Sequence, residues 1–136
     1  VTDAGWLDTV PGDRPAWIIA EGLTYYLSEG DMKTLLNRLT DHFPGGQMAF
    51  DAVGWLGAKL ARNNARIRAT GATIGWWLDD PRDIKRLDPK LELVTELQPR
   101  EAIGYDRLPG SLRALLRVMG LFPSLRRLNR LLRYRF

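Results

Sequence analysis

Two acids stand at the ends of apolar runs. Glu21 follows Trp17-Ile18-Ile19-Ala20, and Asp51 lies late in Gln47-Met48-Ala49-Phe50-Asp51-Ala52-Val53. An ionised carboxylate beside apolar residues is costly unless it is paired or hydrogen-bonded. Glu21 therefore predicts a partner, which is a backbone amide, an arginine or a ligand. A structural cap or ion pair is the plainer role for either acid. Tyr26 could orient an acceptor oxygen or serve as a packing aromatic with a hydrogen-bonded tip. A phenol in general, with a reference pKa of ~10, is a poor base at neutral pH. There is no cysteine and one histidine, His42, which excludes disulfides and thiolate ligands and makes a metal site an unsuitable reading. His42 falls near a helix C-terminus, where the dipole favours partial positive charge.

The elements that would carry these residues follow from their patterning. Trp17 to Ala20, after Pro11-Gly12-Asp13-Arg14-Pro15, reads as a buried parallel strand. Ser28-Glu29-Gly30-Asp31 resembles a capping box with Asp in place of Glu or Gln. Met32, Leu35, Leu36, Leu39 and Phe43 then repeat at helical spacing, predicting a helix over 29–42. Pro44-Gly45-Gly46 ends it before the second strand, 47–53. Strand, helix and strand in this order predict a parallel right-handed crossover, which brings Glu21 and Asp51 to one crevice at the carboxyl ends of the strands. A second helix through Leu56, Leu60 and Ile67 closes near Gly71, and a third strand spans 73–78, where Trp76 and Trp77 point to opposite faces. A short helix over 82–86 precedes an antiparallel or edge strand over 91–97. Pro109-Gly110-Ser111 and Pro123-Ser124 then start two amphipathic helices, with Leu125, Leu128, Leu131 and Leu132 on the stripe of the second.

The chain has 136 residues, 45% of them hydrophobic, which suits one globular domain or a piece of one. No apolar run approaches the ~20 residues of a membrane span, and Val1 to Val10 lacks the features of a secretory signal. A soluble, cytoplasmic protein is expected. The net charge of +4 conceals an asymmetry: residues 1–106 hold all 16 acids and net −4, whereas residues 107–136 hold eight arginines and no acid. We therefore divide the chain into an α/β body over 1–106 and an arginine-rich, amphipathic helical tail over 107–136. Charge alone leaves several partners open for that tail: the body itself, an acidic protein or an anionic membrane surface. Nucleic acid is not expected, because no binding motif accompanies the charge.

Ala20-Glu21-Gly22-Leu23-Thr24-Tyr25-Tyr26-Leu27 resembles the acid-glycine-apolar segment ending in Tyr-Leu of the leucine carboxyl methyltransferase family. The resemblance continues through Trp6-Leu7-Asp8, Arg14-Pro15, Phe43-Pro44-Gly45-Gly46, Phe50-Asp51, Thr70-Gly71, Trp76, Asp80-Pro81 and Arg133-Tyr134-Arg135-Phe136. The pattern is most similar to the bacterial, tetracenomycin polyketide O-methyltransferase-like branch. It covers nearly the whole chain, and the segment around Glu21 is its most specific part.

The resemblance implies the C-terminal half of a class I, Rossmann-like methyltransferase sheet: parallel strands, an antiparallel edge strand and C-terminal helices. It implies S-adenosyl-L-methionine as cofactor and a small-molecule methyl acceptor, with a hydroxyl or carboxyl of a polyketide-like compound methylated. The glycine-rich first loop of that family is absent, since no GxGxxG occurs. The chain alone is then expected to be inactive, and to associate with a chain supplying the other half or with itself. By the same resemblance Glu21 and Gly22 bind the cofactor, and Asp3, in Val1-Thr2-Asp3, is a trace of the adenine-contact segment. Tyr26 is the catalytic candidate, and Asp51, Trp55, Trp76 and Trp77 line the acceptor pocket. The competing reading is a non-enzymatic module whose cationic C-terminal helices bind an acidic partner or membrane surface.

Overall fold

The first strand, β1 (Ala16–Ala20), and the second, β2 (Gly46–Ala52), pair in parallel with Ala20 opposite Phe50. A computed structural model describes residues 1, 3, 5–98, 101 and 104–136, the side chain at position 66 excepted. Thr2, in the expected adenine-contact trace, lies outside these residues.

The crossover helix α1 (Glu29–His42) begins where its cap predicts. Ser28 Oγ accepts from the Asp31 amide at 3.1 Å and donates to the Asp31 carboxylate at 2.7 Å. Glu29 and Asp31 in the first turn and His42 in the last suit the helix dipole. His42 Nε2 donates to the Val10 carbonyl at 2.7 Å. Met32, Leu35, Leu36 and Leu39 are buried along one stripe. They pack with Met48, Phe50, Leu132 and Tyr134 into the core. The expected burial of β1 is only half correct. Ile18 packs toward the core, but Trp17 and Ile19 are 65% and 76% exposed on the opposite face, because no described element covers that face.

The single helix expected after β2 is divided into α2 (Trp55–Arg62) and α3 (Ala65–Ala69). The break falls at Asn63-Asn64, residues whose side chains compete for backbone hydrogen bonds, and the Asn64 carbonyl accepts from the Arg68 amide at 3.0 Å. The expected third strand over 73–78 does not form. Its alternation is real, with Ile74, Trp76 and Leu78 buried. However, both edges of β2 are already occupied, so the segment has no ladder to join there. It is held instead by scattered bonds, among them Gly75 N to Tyr25 O at 2.8 Å, Leu78 N to Val53 O at 2.9 Å and the Arg62 guanidinium to Ile74 O at 2.7 and 2.9 Å.

A 3₁₀ turn over Pro81–Arg86 leads to β3 (Glu92–Leu97), an antiparallel edge strand as expected. Beyond it come α4 (Gly110–Met119) and the short α5 (Pro123–Arg126). The chain closes with a finding that corrects the helical reading of its end: Arg130–Arg135 is a strand, β4, between β2 and β3. Arg130, Leu132 and Tyr134 face inward with period two. The Tyr134 ring stacks on Phe50 at 5.4 Å, and its hydroxyl donates to Pro81 O at 2.8 Å. The result is a mixed sheet in the order β1-β2-β4-β3, with helices, in the expected α/β class.

Candidate functional site

Because β1 and β2 are parallel and Ala20 faces Phe50, Glu21 and Asp51 each follow the same rung of the ladder. The chain turns sharply at Gly22, whose φ of 65° is in the left-handed region that glycine enters without a Cβ penalty. The Gly22 amide donates to Asp51 Oδ1 at 2.8 Å. Thr24, 1% exposed, sends its hydroxyl to the Asp51 carbonyl at 2.7 Å. The Tyr25 carbonyl accepts from Gly75 and Trp76. A side chain at Gly75 would collide with the Leu27 carbonyl, its Cβ falling 2.4 Å from that oxygen. The loop after β1 is thus fastened from two directions, by β2 and by the 73–78 segment.

Glu21 follows β1 as expected, but the predicted partner is missing within the chain. Its side chain is exposed and makes no hydrogen bond or ion pair among the described residues. Solvent instead relieves the cost of its charge. Tyr26 lies on a 3₁₀ turn, Thr24–Tyr26, and is 41% exposed. Its ring meets that of Tyr25 at 4.7 Å and 58°. Burial, reinforced by the negative charge of Asp51, pushes the Tyr25 phenol above its ordinary pKa, so Tyr25 is a proton-bearing hydroxyl at neutral pH. Glu21, Gly22, Tyr25, Tyr26 and Asp51 are therefore gathered at one end of the parallel pair.

The other candidates are placed differently. Asp51 spends its carboxylate on Gly22 rather than on an open pocket. Trp55 opens α2, 51% exposed, with its amide on Asp79 Oδ1 at 3.0 Å and Lys59 Nζ 5.0 Å from its ring centroid. Trp76 is a core residue, 5% exposed and 6.3 Å from Phe50. Trp77 points outward against Arg62 and borders, with Glu29, Asp79, Asp83 and Arg86, a polar cleft of about 220 Å³. The carbonyl of Asp3 accepts from Arg38 at 2.7 Å. Arg38 lies nine residues into α1, ~13 Å along its axis from the start near the Glu21 loop. The structure therefore ties Asp3 to the far end of that helix, away from Glu21. Thr24 and Tyr25 were missed by sequence reasoning because neither has a distinguishing spacing. Gly75 was also missed, although a glycine inside an apolar run is a signal of close backbone approach that could have found it.

An acid, a left-handed glycine and paired phenols thus meet at the carboxyl ends of two parallel strands, the end of an open α/β sheet at which ligands commonly bind. The comparisons agree with the expected resemblance. The chain is 39% identical over 142 aligned positions to the tetracenomycin polyketide synthesis O-methyltransferase of Streptomyces glaucescens, an alignment that takes in 100% of this chain and 50% of that protein. It is 36% identical over 100 positions to an S-adenosyl-L-methionine-dependent methyltransferase of Gibberella zeae, covering 68% of this chain and 34% of the relative. The chain thus spans half or less of the length of these curated relatives. No family model matches it. A DUF574 family protein from Streptomyces avermitilis shares the fold, with a TM-score of 0.58 at 16% identity over 94% of this chain and 47% of the other.

Proposed function

We propose that this chain is the C-terminal half of an S-adenosyl-L-methionine-dependent O-methyltransferase acting on a hydroxyl or carboxyl of a small molecule such as a polyketide. The observation that carries the reading is the 39% identity to a polyketide O-methyltransferase, which runs through the whole chain. The residues after β1 suit the methyl donor. Glu21 is uncommitted and exposed, and a Cβ built on Gly22 would meet only the Tyr25 hydroxyl, at 3.7 Å, so the turn leaves room for a ligand. Glu21 would hold a polar or cationic part of the donor, and Gly22 would allow close approach. The donor, when bound, supplies an electrophilic methyl group. Tyr26 orients the acceptor oxygen for in-line attack, a task in which alignment and exclusion of water count for more than proton chemistry. The donor's positive charge disperses in the transition state, so Glu21 contributes to binding more than to rate.

The bare edge and outer face of β1 are the surface a preceding half-sheet would cover, which supports the expectation that this chain alone is inactive. The competing reading of a free cationic tail gains no support. Arg130 is ion-paired with Glu96 at 3.0 Å and Arg135 with Glu92 at 2.6 Å, so part of the tail's charge is paired with β3, the first pair buried on its arginine side and the second exposed.

The test joins this chain to the amino-terminal half of the tetracenomycin relative and follows transfer of labelled methyl to phenolic and carboxylic acceptors. Transfer is expected from the joined protein and not from the 136 residues alone. Glu21→Gln should raise the donor KM by about tenfold with kcat little changed, the signature of lost binding. A joined, folded protein that neither binds donor nor methylates any acceptor would overturn the proposal.

A further inference from the structure

Asp51 was expected to line the acceptor pocket, yet its carboxylate is engaged with the chain itself. We propose that Asp51 is the positioning residue of the site: by accepting the Gly22 amide it fixes the left-handed turn that sets the direction in which Glu21 leaves the sheet. The inference rests on the functional reading only for what Glu21 does, not for the clamp itself.

The geometry is specific. Phe50 and Ala52 face the core, so Asp51, between them, projects to the other face of β2. From there its Oδ1 reaches across to the amide two residues beyond the end of β1, at 2.8 Å. The backbone of the same residue takes the Thr24 hydroxyl at 2.7 Å. Asp51 therefore grips the loop on both sides of Leu23, with its carboxylate on Gly22 and its carbonyl on Thr24. Gly22 at φ 65° needs such a hold, because glycine explores more backbone conformations than any other residue and an unrestrained Glu21-Gly22 would not keep one orientation. A bond from an amide to an ionised carboxylate is about twice as strong as a neutral one. It is thus the strongest side-chain hold on this turn. Glu21 itself makes no hydrogen bond or ion pair among the described residues, so the backbone that Asp51 holds is what sets the point and the Cα–Cβ direction from which its side chain extends.

Two variants separate this role from general support of the fold. Asp51→Asn keeps an oxygen that can accept the Gly22 amide, whereas Asp51→Ala removes it and leaves the backbone bond from Thr24 intact. Amide hydrogen exchange on the 136-residue chain reads the clamp without any need for activity. We expect Gly22 to be protected in the parent, to lose ~10- to 100-fold protection in Asp51→Ala, and to keep most of it in Asp51→Asn. The amides of Met48 and Phe50 should be unchanged in both. Equal protection of Gly22 in all three chains, or equal loss in both variants, overturns the proposal. A second arm measures S-adenosyl-L-methionine dissociation from the joined protein described above. Asp51→Ala should raise the dissociation constant and Asp51→Asn should restore it to within about threefold of the parent. A donor affinity unmoved by Asp51→Ala would overturn the positioning role even if the amide is exposed. A joined protein that binds no donor refutes the enzymatic reading instead, and the exchange arm then decides the clamp alone.

Discussion

Burial raises the pKa of the Tyr134 phenol well above the ordinary 10.0, and Glu96 and Asp80 add to the effect against the opposing charge of Arg130. A raised phenol contributes stability that is fully present below the unfolded-state pKa and is lost as pH rises through the folded one. The parent should therefore hold its urea midpoint up to pH ~10 and lose stability above it, as the unfolded chain ionises and the folded chain does not. Tyr134→Phe gives up the bond to Pro81 O, about 1 kcal/mol at neutral pH, and should show a shallower alkaline decline. Urea titrations from pH 8 to about pH 11.5 check this, given tyrosine's reference value of ~10. Parallel alkaline limbs in the two chains would assign the decline to other groups. The same residue shows why a sequence hides some functions of its side chains. Tyr134 was read only as part of an arginine-rich ending, whereas its stacking on Phe50 exists only once the two strands are brought together.

Among the elements, α1 and β4 mark the range of what was legible. The helix was readable because its signals are local: a serine cap, acids in the first turn and an apolar stripe over 29–42. The parallel pairing of β1 with β2 followed from the same stretch of chain. In β4 the local signals conflict, since Leu125, Leu128, Leu131 and Leu132 satisfy a helical spacing while Arg130, Leu132 and Tyr134 satisfy period two. The open edges of β2 and β3, far away in sequence, decide it. Arg130 is the other part of that decision. Its side chain, 1% exposed, donates to Glu96 at 3.0 Å, to the Asp79 carbonyl at 3.2 Å and to the Leu78 carbonyl. One guanidinium thus seals the strand and fastens the otherwise unladdered 73–78 segment. Removing it leaves the Leu78 and Asp79 carbonyls without their donor while Glu96, a third exposed, can turn to solvent, so Arg130→Met should cost about 3 kcal/mol, whereas a pair broken at an exposed site costs far less. Glu92→Gln, which breaks the exposed pair with Arg135, is the control. Equal urea midpoints for the two variants would mean that Arg130 does not fasten the sheet.

At the scale of the whole molecule, one face of the sheet carries the core, while the other leaves β1 uncovered by any described element. The core gathers α1 with the inward residues of β1, β2 and β4, while Trp17, Ile19 and Leu131 stand 65%, 76% and 44% exposed. β1 is an edge strand, so its outer backbone groups have no ladder partner, and an apolar hollow of about 360 Å³ lies alongside it between α1 and the N-terminal residues. A free apolar edge is a template for another chain, and a contiguous exposed apolar patch favours association. We therefore expect the 136-residue chain to self-associate at tens of micromolar, with a sedimentation coefficient that rises with concentration. Placing Lys at both Trp17 and Ile19 should return it to a monomer, since charges on an edge strand oppose pairing. These side chains contribute little to the core, so the unfolding midpoint should change little. Because the association is driven by apolar burial rather than by the arginine-rich end, raising the salt from 0.1 M to about 1 M should not dissolve it, whereas contacts between exposed charges would be screened. A chain that stays monomeric at every concentration, or that dissociates in salt, would show that the bare face of β1 is not what drives its assembly.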